Sequence, residues 1–257
     1  IIIGKNMPKP IILANWKMNL AFEEMIKLSS DFKDSLPDIK DKDVVICPTA
    51  VALVSVKNII KDTGIKLGAQ NVFWQDSGAY TGETSPLVLK EIGCRYVIVG
   101  HSERREFLQE TNLMVNKKIN ICLDNGLVPI ICIGETKDER HEGATDNVLY
   151  HQLKECLNDI HLIEGENIIV AYEPVWAIGS GETVEPEEAE RVFELIQQIL
   201  IDLYPLTIIK NNVRMIYGGS VDSDNVLGFS GLQLLAGFLV GGASLEADKF
   251  KAIVKSL

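Results

Sequence analysis

The chain has 257 residues, of which 46% are hydrophobic and 24% charged, values close to the average for folded globular domains. This composition excludes a collagen, a coiled coil and a wholly disordered chain. The length allows a hydrophobic core large enough to be stable without disulfide bonds or a bound metal. With 25 basic and 36 acidic residues the formal net charge is −11, which argues against a nucleic-acid binder or an anionic-membrane binder.

The cysteines bear on the compartment and on metal binding. They are Cys47, Cys94, Cys122, Cys132 and Cys156, an odd number without a C-x-x-C pair, which argues against a disulfide framework and a structural zinc site. The four histidines form no H-E-x-x-H motif. We therefore expect a reducing compartment, the cytoplasm, and no bound metal.

The first residues are set apart from the rest of the chain. Residues 1–3 are apolar, but three residues are too few for the core of a signal peptide. We interpret residues 1–8 as a leader or extension of uncertain role. No Pro/Ser-rich linker divides residues 9–257, which we interpret as one catalytic domain.

Eight short apolar runs follow along the chain, with segments of helical character between them. The runs are Pro10–Lys17, Asp43–Pro48, Lys66–Gln70, Tyr96–Gly100, Val128–Gly134, Ile168–Glu173, Arg214–Gly219 and Gly237–Gly242. Each is nearly continuous in Val, Ile and Leu rather than alternating. This pattern is typical of strands that are buried on both faces of a parallel sheet.

The segments between the runs carry helix signals. Thr111 is a candidate N-cap for a helix that ends before Gly126. Pro186 suits a first-turn position, and the two glutamates after it would lie near the positive end of the helix dipole. From Ala189 to Leu203, apolar residues recur at helical spacing, which predicts an amphipathic helix.

Eight strands alternating with helices over about 250 residues indicate an α/β fold, a closed (β/α)8 barrel in a single domain. A doubly wound open sheet is the alternative that periodicity alone leaves open. The stretch Asn225 to Leu245 has no charge and the length of a membrane span. Because glycines and polar residues dilute it, we predict a short helix, a strand and a phosphate-type loop there, and no membrane contact.

The ends of the predicted strands are unusually polar, and both folds would bring them to one active-site face. Five segments there together resemble the triosephosphate isomerase family, in the order that the family has them. They are Ala14–Asn19 (ANWKMN), Val99–Arg105 (VGHSERR), Ala171–Gly179 (AYEPVWAIG), Tyr217–Val221 (YGGSV) and Gly237–Leu245 (GFLVGGASL). The resemblance implies a TIM barrel that interconverts dihydroxyacetone phosphate and D-glyceraldehyde 3-phosphate in glycolysis and gluconeogenesis, without a cofactor, as a homodimer.

The resemblance also assigns catalytic roles. Glu173 would be the base that moves a carbon-bound proton, and Lys17 would stabilise the negative charge of an enediolate. His101 would be a neutral electrophile and proton shuttle at a helix N-terminus, and triosephosphate isomerase is itself the standard example of that arrangement. Taken alone, Glu173 could instead be a surface residue, His101 a core histidine and Lys17 a solvated lysine.

Other residues would bind substrate or support the site. Asn15 would hold Lys17 in place and contact a substrate oxygen. Lys17 would bind substrate as well. Backbone N–H groups at small residues can approach a phosphate closely, and the residues so assigned are Gly179, Ser220, Gly241 and Gly242. Ser102 would begin the helix beside His101. Glu103 would orient polar groups of the site, or would pair with Arg104 or Arg105 instead.

Two loops complete the resemblance. The segment from Pro174 resembles the family's closing lid, which would exclude water from the enediolate. The lid residues are Pro174, Val175, Trp176, Ala177, Ile178, Gly179, Ser180 and Gly181. The loop from Asn71 to Ser85 resembles the family's dimer loop, in which Thr81 would lie near Asn15 and His101 of the partner subunit.

The chain departs from the family pattern at the second lid hinge and before the last strand. Ser180, Glu182 and Val184 stand where the family often has Thr, Lys and Ala, and we expect the charge reversal to affect opening rates without touching a reacting atom. Leu234, Leu235 and Ala236 stand where acidic residues are common, which suggests a missing salt bridge.

Two other functions remain open at this level. Lys17 could form a Schiff base in a phosphosugar aldolase; a metal-dependent aldolase is disfavoured by the lack of a histidine cluster. The barrel could also be a non-catalytic interaction protein, which the presence of Lys17, His101 and Glu173 together disfavours.

Overall fold

A computed structural model describes residues 9–36, 39–179, 182–229 and 231–256. Over these residues eight parallel strands pair in chain order, and the last pairs with the first, which closes a barrel. The strands are β1 (Ile11–Asn15), β2 (Asp43–Cys47), β3 (Lys66–Ala69), β4 (Cys94–Val99), β5 (Val128–Ile133), β6 (Ile168–Tyr172), β7 (Val213–Tyr217) and β8 (Leu235–Val240). The predicted (β/α)8 barrel is confirmed, and the open sheet is wrong.

The helices of the described residues cover the outside of the barrel. They are α1 (Phe22–Ser35), α2 (Leu53–Ile60), α3 (Pro86–Ile92), α4 (Ser102–Leu108), α5 (Asn112–Asp124), α6 (Lys137–His141), α7 (Thr145–Cys156), α8 (Pro186–Leu203), α9 (Leu206–Asn212), α10 (Val226–Phe229) and α11 (Ala247–Lys255). Short 3₁₀ helices span Ala50–Ala52, Val175–Ala177 and Gly242–Leu245. The proposed leader, residues 1–8, lies outside the described residues.

The predicted helix ends are confirmed. Thr111 is the N-cap of α5, and its hydroxyl accepts a hydrogen bond from the backbone N–H of Met114 at 3.3 Å. Gly126, just past the helix, has a φ of +63°, a backbone conformation that glycine adopts without steric cost. Pro186 is the first residue of α8. A backbone N–H at this position would have no partner within the helix, so proline costs no hydrogen bond there.

Some strand boundaries differ from the predicted runs. β4 begins at Cys94, two residues before the predicted Tyr96, because the exposed Arg95 interrupts the apolar run but not the strand. β8 likewise begins at Leu235, two residues early, because Leu235 pairs with Met215 of β7. Leu235 is buried, so this position, where we expected a missing salt bridge, holds a packed apolar side chain.

The strands are buried on both faces, as predicted. Within β1, the side chains of Ile11 and Leu13 belong to the apolar cluster inside the barrel. Those of Ile12 and Ala14 belong to the larger cluster between the barrel and its helices. All four are inaccessible to solvent. Because successive side chains of a strand point to opposite faces, each strand contributes side chains to both cores. The polar residues lie at the strand ends.

Barrel closure depends on one glycine. Gly237 of β8 pairs with Ile11 of β1, and a Cβ atom at this glycine would lie 1.7 Å from the carbonyl oxygen of Ile11. Its φ of +150° is also unfavourable for other residues. The uncharged stretch around it forms α10, β8 and the 3₁₀ helix Gly242–Leu245, as predicted. Among the described residues, no helix is long and apolar enough to cross a membrane.

Candidate active site

A pocket of about 560 Å³ opens at the C-terminal ends of the strands. Most of the predicted site residues line it, and they come from the ends of five different strands. They are Asn15, Lys17, His101, Glu103, Glu173, Gly179, Ser220, Gly241 and Gly242. The fold therefore brings together residues that are up to 227 positions apart in the sequence.

Glu173 directly follows β6, and its side chain is 2% exposed. Its backbone N–H donates to the carbonyl of Ile133 on β5 at 2.7 Å, which continues the sheet ladder by one residue. Its carboxylate accepts a hydrogen bond from the backbone N–H of Ser102 at 3.1 Å, and its Oε1 lies 3.2 Å from Nε2 of His101. One backbone N–H thus donates to a buried carboxylate in the pocket, and an imidazole nitrogen lies beside it.

The tautomer of His101 follows from its contacts. The residue is the N-cap of α4, and its Nδ1 accepts a hydrogen bond from the backbone N–H of Glu103 at 3.2 Å. A ring nitrogen that accepts a hydrogen bond carries no proton, so the proton of the neutral ring is on Nε2. That Nε2 lies 3.2 Å from Oε1 of Glu173. The imidazole can therefore donate to an oxygen in the pocket.

Lys17 has a left-handed backbone conformation, with a φ of +50°, which is uncommon outside glycine. Asn15 and Gln70 hold it in place. Oδ1 of Asn15 accepts from the backbone N–H of Lys17 at 3.1 Å, and the Gln70 amide donates to its carbonyl at 2.9 Å. This conformation directs the ammonium group to Glu103, at 2.6 Å.

Glu103 therefore pairs with Lys17 and not with the neighbouring arginines, which was the alternative from the sequence. Arg104 pairs with the buried Glu110 at 2.5 Å. Arg105 donates to the carbonyl of Gly100 at 2.7 Å and to Asn112 at 2.6 Å. Neither arginine lines the pocket, because α4, which starts at Ser102, turns both of them toward Glu110 and the start of α5.

The glycine end of the pocket lies next to Lys17. A Cβ atom on Gly241 would lie 3.6 Å from Cε of that lysine. The hydroxyl of Ser244 donates to the carbonyl of Gly241 at 2.6 Å and fixes the turn. The amide of Asn225 donates to the carbonyl of Ser220 at 3.1 Å on the neighbouring loop. Small residues and an ammonium group are thus adjacent, as an anion site requires.

The first lid hinge is anchored in the protein interior. The indole N–H of Trp176 donates to the carboxylate of Glu135 at 2.8 Å, and the hydroxyl of Tyr172 lies 3.2 Å from the same oxygen. The guanidinium of Arg140 lies over the indole ring at 4.3 Å. Burial raises the pKa of Glu135, although these hydrogen bonds oppose the shift. Two predicted lid residues, Ser180 and Gly181, lie outside the described residues.

The far end of the predicted lid contacts α6. Glu182 pairs with Lys137, the first residue of α6, at 3.2 Å, with both side chains about half exposed. Val184 is buried at 2% exposure. The charge at Glu182 is therefore paired with the neighbouring helix, and Glu182 is not among the described residues that line the pocket.

The predicted dimer loop is built around a stack of aromatic rings. Phe73 stacks on Trp74 at 4.2 Å and contacts Tyr80 at 4.5 Å between ring centres. The hydroxyl of Ser85 donates to the carbonyl of Asp76 at 2.6 Å. Thr81 is exposed at the tip, and it is not among the described residues that line the pocket of its own chain.

The cysteines and acidic groups give no sign of other chemistry. All five cysteines are buried and unpaired, and burial raises the pKa of Cys94 to about 12 and that of Cys156 to about 11. Such thiols are poor nucleophiles at neutral pH. No group of three His, Cys, Asp or Glu side chains in the described ranges is placed to hold a metal ion.

Three functional neighbours of the site are absent from our sequence predictions. Gln70 donates to the carbonyl of Lys17, and Glu135 accepts from the indole of Trp176 in the predicted lid. Gly218 leaves room for Glu173, the predicted base, because a Cβ atom there would lie 2.9 Å from Cγ of Glu173. Gln70 closes the third predicted strand, and Glu135 follows the fifth. Active-site residues of such barrels lie at the C-terminal ends of the strands, and this rule would have predicted both Gln70 and Glu135.

Comparison with known proteins gives consistent matches. The family model described as triosephosphate isomerase matches residues 10–257. The chain is 45% identical to the triosephosphate isomerase of Dictyoglomus thermophilum over 97% of this chain and 100% of the relative. It is 45% identical to that of Caldanaerobacter subterraneus and 42% identical to that of Clostridium botulinum, in both cases over 96% of this chain and 99% of the relative.

Proposed function

Because the chain belongs to the triosephosphate isomerase family and is an isomerase, we propose that it interconverts dihydroxyacetone phosphate and D-glyceraldehyde 3-phosphate through an enediolate. The observation that carries this proposal is the arrangement of Glu173 and His101. A buried carboxylate lies 3.2 Å from Nε2 of an imidazole whose Nδ1 accepts a hydrogen bond, at the mouth of the barrel. A base and a proton donor are thus adjacent where a hydroxycarbonyl substrate would bind.

In the proposed reaction Glu173 removes a proton from the carbon next to the carbonyl and returns it to the neighbouring carbon. The Nε2–H of His101 donates to the substrate oxygens in turn. In the structure the two groups contact each other, so a substrate oxygen must replace the Glu173 carboxylate at Nε2. The backbone N–H of Ser102, the other donor to this carboxylate, is released in the same movement.

Lys17 supplies the positive charge that an enediolate and a phosphate both need. Its pairing with Glu103 holds the ammonium at the pocket in the absence of substrate, and a substrate oxygen would compete for it. We assign the phosphate to the N–H groups of Gly179, Ser220, Gly241 and Gly242, because these residues are small and the last two lie beside Lys17.

The segment from Pro174 is proposed to close over the bound substrate. Trp176 is anchored on Glu135, so the first hinge can turn about a fixed point, and closure would remove water from the pocket. Exclusion of water protects a reactive intermediate from side reactions.

We further propose a cytoplasmic homodimer. Gln70, which precedes the loop from Asn71, donates to the carbonyl of Lys17, so this loop starts beside Met18. The side chains of Met18, Tyr80 and Val88 are 91%, 45% and 46% exposed, and a second copy of the chain would cover such apolar groups. Five buried unpaired cysteines fit a reducing compartment.

A Schiff-base aldolase is the second candidate, and the structure favours it less. Its nucleophile would be Lys17, whose nitrogen lies 2.6 Å from a carboxylate of Glu103. A paired ammonium group has no free electron pair for attack on a carbonyl. Glu173, in contrast, pairs with no lysine or arginine of the described residues, so no such cation prevents it from acting as a base.

An isomerase assay coupled to a nicotinamide-linked dehydrogenase tests the proposal. We expect turnover of dihydroxyacetone phosphate both before and after dialysis against a chelator, and no covalent adduct on Lys17 after borohydride reduction in the presence of substrate. A borohydride-trapped adduct would indicate an aldolase, loss of activity in chelator would indicate a metal enzyme, and absence of turnover would leave an interaction protein. Sedimentation of the intact chain tests the dimer separately.

A further inference from the structure

The mouth of the pocket is acidic, although the proposed substrate is an anion. The charged residues that line the pocket in the described part of the chain are Lys17, Lys249, Glu103, Glu173, Asp222, Asp224 and Glu246. Five carboxylates against two ammonium groups leave three net negative charges. Lys17 is already paired inside the pocket. The approach of a phosphate dianion therefore depends on the remaining charges at the opening.

Three of these carboxylates, Asp222, Asp224 and Glu246, belong to the loops after β7 and β8, and we call them the acidic rim. Lys249 lies among them. Its ammonium group is 2.7 Å from Oε1 of Glu246. The hydrogen bond to Glu246, and then the charges of Glu246, Asp222 and Asp224, raise the pKa of Lys249. It thus stays protonated at neutral pH and offsets part of the rim.

The position of Lys249 in its helix is unfavourable for helix stability. It is the third residue of α11, in the first turn, where the positive end of the helix dipole disfavours a cation. Its side chain is half exposed and packs into no core. The pair with Glu246, the N-cap residue of α11, offsets only part of this cost, and the cation lies at the edge of the proposed phosphate pocket.

We propose that Lys249 steers the triose phosphate to the pocket by offsetting the acidic rim, and so sets the rate of encounter and not the rate of chemistry. The inference rests on the proposed function. Steering affects kcat/KM when encounter limits the reaction, and triosephosphate isomerase is itself a standard example of an enzyme at the diffusional ceiling. A charge at the rim then acts on kcat/KM and leaves kcat unchanged.

The test compares Lys249→Gln with the wild-type protein at two ionic strengths. At ~10 mM, where the screening length is about 30 Å, we expect kcat/KM to fall about two- to fivefold. At ~1 M, where that length is about 3 Å, the difference should vanish. Glu246→Gln should raise kcat/KM at low ionic strength. Lys255→Gln, exposed in the last turn of the same helix, is the matched control and should equal the wild type.

Several results would overturn the inference. For Lys249→Gln they are an unchanged kcat/KM at low ionic strength, a reduced kcat/KM that persists at high ionic strength, or a reduced kcat. For the wild-type protein the contradicting result is a kcat/KM that does not fall as solvent viscosity rises. An inactive wild-type protein would overturn the proposed function as well. An active wild-type protein with equal kcat/KM in the variants at Lys249 and Lys255 would overturn the steering role alone.

Discussion

The two ends of the barrel each hold a carboxylate that is shielded from water, but the two groups have different partners. Asp43 at the N-terminal end contacts Lys66, and its Oδ2 lies 2.9 Å from Arg214. Glu173 at the C-terminal end contacts a backbone N–H and an imidazole, and none of its partners in the described chain is a lysine or arginine. Both carboxylates are largely shielded from water.

The difference separates a carboxylate with structural partners from the carboxylate that we propose as the base. Two cations join Asp43 to β3 and β7, so its charge links strands that are distant in sequence. Burial alone would raise the pKa of Asp43, but the hydrogen bonds from Lys66 and Arg214 outweigh burial and lower it. A carboxylate that is paired in this way stays charged near neutral pH. The contacts of Glu173 are ones that a substrate can replace, which is what a general base requires.

The largest expected effect is kinetic and comes from the C-terminal end. Glu173→Gln should lower kcat by roughly 10²–10⁴, the usual contribution of a general base, because the amide fills the same space without accepting the proton. Binding of glycerol 3-phosphate, a non-reacting phosphate ester, should be retained. The coupled assay and calorimetry measure the two quantities. Glu190→Gln, exposed on α8, is the control, and near-normal turnover of Glu173→Gln would contradict the assignment of the base.

The next effect is on stability and comes from the N-terminal end. Asp43→Asn should lower the free energy of unfolding by about 2–3 kcal/mol, below the roughly 3–5 kcal/mol for a fully buried pair, because the side chain of Lys66 is 30% exposed. We expect kcat to change little. Urea unfolding at fixed protein concentration provides the measurement. Asp146→Asn breaks an exposed pair with Arg191 and should cost at most about 1 kcal/mol; equal losses would contradict the comparison.

The smallest effect is the pH dependence of the difference in unfolding free energy between the wild type and Asp43→Asn. The pKa of Asp43 is lower in the folded protein than its ordinary value of 3.8, so its charge stabilises the fold fully above pH 3.8 and progressively less as the pH falls through the folded pKa. The stability gap between wild type and Asp43→Asn should therefore be constant near neutral pH and narrow below pH 3.8. A series of unfolding curves from neutral to acid pH measures the gap, and a gap that stays constant would show that Asp43 carries no stabilising charge.

Sequence patterns located the elements of the fold well, and they predicted most of the side chains that meet at the pocket. Continuous apolar runs predicted all eight strands, and capping residues such as Thr111 and Pro186 predicted helix ends. Both predictions succeed because hydrophobic period and helix capping depend on residues that are close together in the chain. The boundaries failed at Arg95 and Leu235, where strand pairing extends an element beyond its apolar run. The family motifs supplied the roles of Glu173, His101 and Lys17, which periodicity could not.

The sequence by itself determined the eight-fold repeat, the acidic balance and the residues that stand at strand ends. The tertiary structure alone decided which of them meet. Lys17 pairs with Glu103 across 86 positions, Glu173 binds Ser102 across 71 positions, and Asp43 binds Arg214 across 171 positions. Such contacts depend on barrel closure and strand register, which are set by the packing of all eight strands together and are not encoded in any local segment.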